Sequence, residues 1–257
     1  MLLAFDIGNT NIHLGLWDGA SWLLSWRART VAEKMMDEYA VLVRNFLYTA
    51  EVNHDEITAA CMSSVVPSLT PTFQELARRY LNLEPLTVSS ETELGIAIAI
   101  DMPEQAGGDR LCNAVALSQL FGAPAVCVDF GTSTNFDVLS ADKEYIGGVL
   151  APGIRLAHDA LVSHAAQLHK VDLLPPPQPI GRNTVHAMQS GIFWGYTGMI
   201  EALLRRILAQ LDAPGISVVA TGGLAPVFTA HIDLIDEVAP ELTLDGLRLI
   251  YELNCGK

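Results

Sequence analysis

Short apolar runs alternate with segments of helical spacing along the chain, and one stretch of that pattern occurs twice. Leu2 to Phe5 is an apolar run that ends on Asp6-Ile7-Gly8-Asn9-Thr10, and a second apolar stretch follows from Ile12 to Trp17. Ala125 to Val128 likewise ends on Asp129-Phe130-Gly131-Thr132-Ser133, and Phe136 to Leu139 follows. Nearly half the chain separates the two copies. Each reads as a strand, a tight polar turn and a returning strand, so the repeat predicts two related halves.

The remaining pattern fits that frame. In the first half, Asp37 to Tyr48 has helical spacing, Ile57 to Val66 reads as a buried strand and Pro71 to Leu81 as a helix. Thr87 to Ser89 is a further strand, and Arg110 to Phe121 is an amphipathic helix with Asp109 placed as its N-cap. In the second half, Tyr145 to Val149 predicts a strand and Pro152 opens a helix towards Gln167. The prolines crowded between Leu173 and Pro179 require an extended loop. Thr184 to Leu211 is a long helical region, interrupted or tightly packed at Gly191, Gly195 and Gly198. Ile216 to Ala220 is a strand that runs into Thr221-Gly222-Gly223. The expectation is an α/β protein of two similar domains, residues 1–120 and 121–257, with a cleft between them.

Composition narrows the partners. Fifteen basic residues against 29 acidic give a net charge of -14, a field that repels nucleic acid and anionic membranes alike. Nucleotide phosphates are repelled too, so a site for them needs backbone N–H groups, a metal ion or local cations. Cys61, Cys112 and Cys127 sit within apolar runs, and with Cys255 they read as reduced thiols. The histidines show no metal-binding spacing. No apolar run reaches membrane-spanning length and the N-terminus has no basic n-region, so a cytoplasmic protein is expected.

The Asp-led turn has what a phosphate site requires. Gly8 permits close backbone approach, Asn9, Thr10 and Asn11 add short polar donors, and Asp6 is placed to hold Mg²⁺ directly or through water. A single such turn is also compatible with an ordinary hairpin. Its recurrence at Asp129 in the same strand context makes that reading hard to hold twice.

Two Asp-x-Gly loops followed by a strand ending in Gly-Gly resemble the superfamily of acetate kinase, sugar kinases and actin over nearly the whole chain. That resemblance implies two domains of the actin-like ATPase, ribonuclease H-like fold. Asp6 to Asn11, Gly107-Gly108-Asp109-Arg110, Asp129 to Thr132, Gly147 to Gly153, and Asn183-Thr184 with Ala187 to Gly191 occur in the order found in type III pantothenate kinases, and the chain resembles that family. The resemblance implies ATP-dependent phosphorylation of pantothenate to 4'-phosphopantothenate, the first step of coenzyme A biosynthesis, by a homodimer. It makes Asp109 the general base. It assigns ATP contacts to Asp6, Ile7, Gly8, Asn9, Thr10, Asn11, Ile12, His13 and Thr132. Substrate contacts fall to Ile100, Gly107, Gly108, Asp109, Arg110 and Thr184, and a monovalent cation, K⁺ or NH₄⁺, to Asp129, with Mg²⁺ arriving with ATP. Arg110 suits a carboxylate, which guanidinium grips as a planar fork. The chain departs from the family at Ile100, where a Tyr is usual, and at Asn135, where a Thr is common. Two alternative readings remain: a non-catalytic regulatory relative, against which the retained Asp6, Asp109, Arg110, Asp129 and Thr132 argue, and a kinase for another small hydroxy acid, which shares this machinery.

Overall fold

In the computed structural model, which describes residues 1–256, the apolar runs form two sheets with one strand plan. The first contains β1 (Leu2–Ile7), β2 (Asn11–Trp17), β3 (Trp22–Arg29), β4 (Ala59–Ser64) and β5 (Leu86–Thr87), in the order β3-β2-β1-β4-β5. β2 is antiparallel to β1 and β3, whereas β4 runs parallel to β1 and β5 parallel to β4. A two-residue strand, β6 (Ala97–Ile98), follows. The second plan repeats the first with β7 (Ala125–Phe130), β8 (Ser133–Leu139), β9 (Glu144–Pro152), β10 (Ser217–Thr221) and β11 (Glu237–Val238), ordered β9-β8-β7-β10-β11 with the same strand senses. β1 and β7 are central strands covered on both faces, which is why their apolar runs do not alternate with polar residues.

Helices complete each unit. α1 (Met36–Thr49) and α2 (Thr70–Leu81) place Tyr39, Val43 and Phe73 against Leu3 and Phe5 of β1. Pro71 opens α2, and Asn82, at φ 55° in the left-handed region, closes it. α3 (Gly108–Ala116) ends earlier than the spacing predicts, and residues Leu117–Phe121 continue as a π-helical turn. In the second unit, α4 (Ile154–His164) is followed by an extended segment that includes Leu173 to Pro179, and then by α5 (Thr184–Leu211). Phe193 and Tyr196 of α5 join Phe228 of α6 (Ala225–Thr229) over Val128 and Phe130.

Two expectations change. α5 is continuous, and a Cβ built at Gly191, Gly195 or Gly198 meets nothing within 4 Å, so within the chain these glycines neither break the helix nor admit a close neighbour. The expected domain of 121–257 also changes. The compact units are Met1–Leu120 with the segment from Glu241 onward, and Phe121–Pro240. α7 (Leu242–Cys255) returns to the first unit because its buried Leu242, Leu244, Leu247 and Ile250 find their core there. Gly246 admits the α3 backbone so closely that a Cβ would lie 2.0 Å from the Cys112 carbonyl oxygen. Thr243 Oγ1 donates to Asn113 Oδ1 at 2.9 Å across the same contact. Cys61, Cys112 and Cys127 are buried free thiols, pushed up in pKa by desolvation, while Cys255 is exposed. Among the described residues no helix is long and apolar enough to cross a membrane.

Candidate active site

The first unit gathers the Asp6 loop and Asp109 at one edge of its sheet. Asp6 ends β1 opposite Ser63 on the parallel strand β4, and Ser63 Oγ donates to Asp6 Oδ1 at 2.6 Å. This short charge-assisted bond orients the carboxylate. The turn beyond it is fixed from behind. Gly8 N–H donates to Asn11 O at 3.0 Å, Thr30 N–H to Thr10 O at 2.9 Å and Thr30 Oγ1 to Gly8 O at 2.6 Å. A Cβ at Gly8 would stand 3.0 Å from Asn11 O, so a larger residue would press on the turn. Asn9, Thr10 and Asn11 are exposed.

Not every residue of the 6–13 stretch presents its side chain there. Ile7 and Ile12 are buried in the core cluster. His13 is buried as well, with Nε2 2.7 Å from Ser25 Oγ and 3.0 Å from Glu241 Oε2. Strand alternation and packing withdraw these three side chains from the turn, which leaves Asp6 and residues 8–11 as its polar face.

α3 brings Asp109 to the same edge. The N-cap is Gly107, not Asp109, and no side chain caps the helix. Asp109 lies inside the first turn, where its Oδ1 accepts the Arg110 N–H at 2.9 Å. The two glycines make that placement possible. A Cβ at Gly107 would lie 2.5 Å from Asp109 Oδ1, and one at Gly108 would lie 3.2 Å from both Ser63 Cβ and Val88 O. The carboxylate of Asp6, the Ser63 side chain, the Gly108 backbone and Asp109 thus form a contiguous run. Burial pushes the Asp109 carboxyl above the ordinary aspartate range, opposed by the Arg110 N–H bond and guanidinium. The helix N-terminus alone therefore does not set its charge. Arg110 is half-buried and forms no salt bridge among the described residues. Ile100, also half-buried, sits in a bend that carries no hydroxyl for a ligand.

The second unit repeats the loop with different surroundings. Asp129 lies near the end of β7 opposite Thr221 of β10, and Gly131 N–H donates to Ser133 O at 3.1 Å. Gly222 adopts φ +89°, and a Cβ there would lie 2.6 Å from Asp129 Oδ1 and 2.7 Å from Phe130 O. The two oxygens thus converge on the Gly222 α-carbon, where only glycine fits. Among the described residues no three His, Cys, Asp or Glu side chains cluster as a metal cage. Thr132 is exposed beside Gly153, whose Cβ would lie 2.2 Å from Thr132 O. Tyr196 OH meets Thr134 Oγ1 at 2.6 Å, and its pKa is pushed to about 12 by desolvation first, with Asp129 adding to the rise. Thr184 is exposed at the first position of α5. Asn183 is the cap, accepting the His186 N–H at 2.9 Å, so capping does not occupy the Thr184 hydroxyl.

The sequence reading missed Ser63, Thr30 and Tyr196. Ser63 carried a signal, a polar residue closing a buried strand as Asp6 does. Tyr196 carried none, since only the rotation of α5 turns it towards β8.

Comparison with known proteins follows the same lines. A family model described as Type III pantothenate kinase matches residues 2–206. The type III pantothenate kinase of Roseiflexus sp. (strain RS-1) is 45% identical over 254 residues, covering 99% of both chains. Among solved structures, a Campylobacter jejuni protein assigned to the Baf family of transcriptional activators aligns over 99% of this chain and 100% of its own, with a TM-score of 0.60 and 17% identity. The inorganic polyphosphate/ATP-glucomannokinase of Arthrobacter sp. strain KM aligns over 98% of each chain, with a TM-score of 0.50 and 14% identity. At such identities these structures speak for the fold, which is that of the actin-like kinases.

Proposed function

Because the chain belongs to the type III pantothenate kinase family, it is a pantothenate kinase, and we propose that Asp109 serves as its base while the two Asp-x-Gly loops hold ATP. The observation that carries this reading is the contiguous run from Asp6 through Ser63 and Gly108 to Asp109, which sets a carboxylate beside a phosphate-type turn. Asp109 accepts the proton of the 4'-hydroxyl as that oxygen attacks the terminal phosphorus and the bond to ADP breaks. A burial-raised pKa strengthens Asp109 as a proton acceptor, and general-base help of this kind is worth about 10²–10⁴-fold. Arg110 binds the substrate carboxylate, and the Thr184 hydroxyl and Ile100 complete the pantothenate contacts.

Residues 9–11 and Thr132 would bind phosphate oxygens, with Gly8 shaping the turn, and Asp6 would hold the Mg²⁺ that accompanies ATP. Asp129 and Phe130 O would hold K⁺ or NH₄⁺, which supplies positive charge near the phosphates in a strongly acidic protein. Positioning and charge compensation then carry most of the rate. ATP as donor makes the cytoplasm the setting and coenzyme A biosynthesis the pathway. We assign the open glycine face of α5 to a homodimer contact. It borders an apolar groove of about 490 Å³ lined by Leu161, Met188, Ile192 and Met199. A coupled ADP-release assay with pantothenate and Mg²⁺, with and without K⁺, tests the scheme. Turnover that depends on pantothenate supports it, and folded protein without such turnover overturns it.

A further inference from the structure

His158, on α4, is 5% exposed, and no step above uses it. Its Nε2 accepts the Val171 backbone N–H at 3.2 Å, and its Nδ1 lies 3.4 Å from Asp159 Oδ1. Only one state of the ring satisfies both contacts. Nε2 must keep its lone pair, so the single ring proton sits on Nδ1 and is donated to Asp159. The imidazole held in this way is neutral.

Val171 belongs to the segment 165–183, which has neither helix nor strand and leads directly into Thr184. The segment is tied to both neighbouring helices. Lys170 Nζ reaches Asp159 Oδ1 of α4 at 3.0 Å, and Gln189 Nε2 of α5 donates to Asp172 O at 3.1 Å. Near its end, Gly181 packs so tightly that a Cβ would lie 2.2 Å from Ala187 N. The tie from His158 depends on the protonation of its imidazole, and a second imidazole, that of His186 on α5, lies with Nδ1 3.3 Å from Asn183 Nδ2, so the His158 variants are needed to separate the two. A proton on His158 Nε2 would set two N–H donors against each other in a buried position, where an unmet donor is costly.

The charged groups around the ring are Asp159 on its own helix and Lys170 on the segment, while α5 offers the segment the Gln189 amide, the Ser190 hydroxyl on Pro179 O and the His186 imidazole beside Asn183. Lys170 holds the Asp159 carboxyl below its ordinary range, with His158 a lesser cause. Asp159 therefore stays ionised in mild acid and keeps the Nδ1 proton, so the contact that protonation breaks is the one to Val171.

We propose that His158 is a positioning residue for the pantothenate reaction. It latches the 165–183 segment through Val171 and so places Thr184, and binding of the hydroxy-acid substrate weakens when the imidazole takes up a proton. The inference rests on the reading of Thr184 as a substrate contact.

The test compares wild type, His158→Gln and His158→Leu at about pH 8 and about pH 5.5, the span over which an imidazole changes charge. Pantothenate is varied at saturating MgATP. The Gln amide oxygen can accept the Val171 N–H and does not titrate. The wild-type KM for pantothenate should rise about five- to tenfold more than that of His158→Gln on acidification, the loss of about one hydrogen bond. His158→Leu should show the raised KM at both pH values, with kcat changed less than KM. Hydrogen exchange of a peptide spanning Val171, corrected for intrinsic rates, should lose protection at low pH in wild type and keep it in His158→Gln. Equal acid dependence of KM in wild type and His158→Gln, or Val171 protection indifferent to pH, overturns the proposal. If pantothenate is not turned over at all, the proposed function fails, and exchange alone then supports or overturns the latch.

Discussion

Replacing Gly246 with Ala probes how the returning helix α7 supports Asp109, the proposed base. The added methyl would lie 2.0 Å from the Cys112 carbonyl oxygen, 2.4 Å from its carbon and 2.7 Å from its α-carbon. All three are backbone atoms of α3, so no change of rotamer relieves the overlap. Comfortable contact needs about 3.5 Å, and the helices must therefore part locally by more than about 1 Å. α7 resists that movement through buried Leu244, Leu247 and Ile250 and through the Thr243 to Asn113 bond at 2.9 Å. Overpacking of this kind costs about 1–3 kcal/mol, and weakening the buried hydrogen bond adds about 1 kcal/mol. Cys112 lies one helical turn beyond Asp109, so a shift of α3 also moves that proposed base, and an error of about 1 Å can cost about 10²-fold in rate. Urea unfolding should show a loss of about 2–4 kcal/mol, and steady-state kinetics a kcat reduced by at least about tenfold with ATP binding retained. Wild-type stability would refute the contact. Lost stability with intact kcat would refute its coupling to Asp109.

Asp109→Asn should lower kcat by about 10²–10⁴-fold while nucleotide binding persists, measured by ADP release and nucleotide titration. Because burial raises the folded-state pKa of Asp109, the wild type loses stability as pH rises through that value. The Asn variant should lack that loss, so its Tm should exceed that of wild type at neutral pH. The acid limb of the wild-type kcat/KM profile should lie above the ordinary aspartate value of about 3.9. Gly222→Ala forces a side chain into φ +89° and against Asp129 Oδ1 and Phe130 O, so it should cost about 1–2 kcal/mol and abolish activation by K⁺ in a KCl titration. Ile100→Tyr should lower the pantothenate KM by up to about tenfold through one added hydrogen bond, leaving the ATP KM unchanged.

The strands and the two loops were legible because their signals are local. β1 and β7 carry uninterrupted apolar runs that stop at an aspartate, and a Gly two residues later marks each turn. The home of α7 was not legible, although Leu242, Leu244, Leu247 and Ile250 have apolar character, because spacing reveals an apolar face and not the surface that will cover it. Asp109 was found through its motif but given the wrong structural place. Asp is a favoured cap, yet here the preceding glycines start the helix earlier and turn the carboxylate back over Gly107. The glycines of α5 misled in the opposite sense. Gly within a helix usually marks a close neighbour, whereas these face open space within the chain. Tyr196 was silent because it meets Thr134, far along the chain, and His158 because its partner is the backbone of a segment without helix or strand; no period in the sequence encodes either meeting.

The duplicated frame also bears on the proposal that two like loops do unlike work. Asp6 and Asp129 occupy matching places, and the residues opposite them on the parallel strand are Ser63 and Thr221. The loops themselves scarcely differ; what differs is what surrounds the end of that neighbouring strand. In the first unit Ser63 donates to Asp6 and Gly108 of α3 packs against Ser63, so the carboxylate is oriented and the base is brought near it. In the second unit the chain turns at Gly222 through the left-handed region, and Asp129 Oδ1 and Phe130 O share the space beside it. An aspartate anchored by a hydroxyl has its geometry fixed for one task. In the proposed scheme, Asp129 beside the Phe130 carbonyl would offer oxygen ligands to a weakly directional cation. The division of labour proposed for this kinase therefore follows from two short segments, 107–109 and 221–222, set into a frame that is otherwise the same twice.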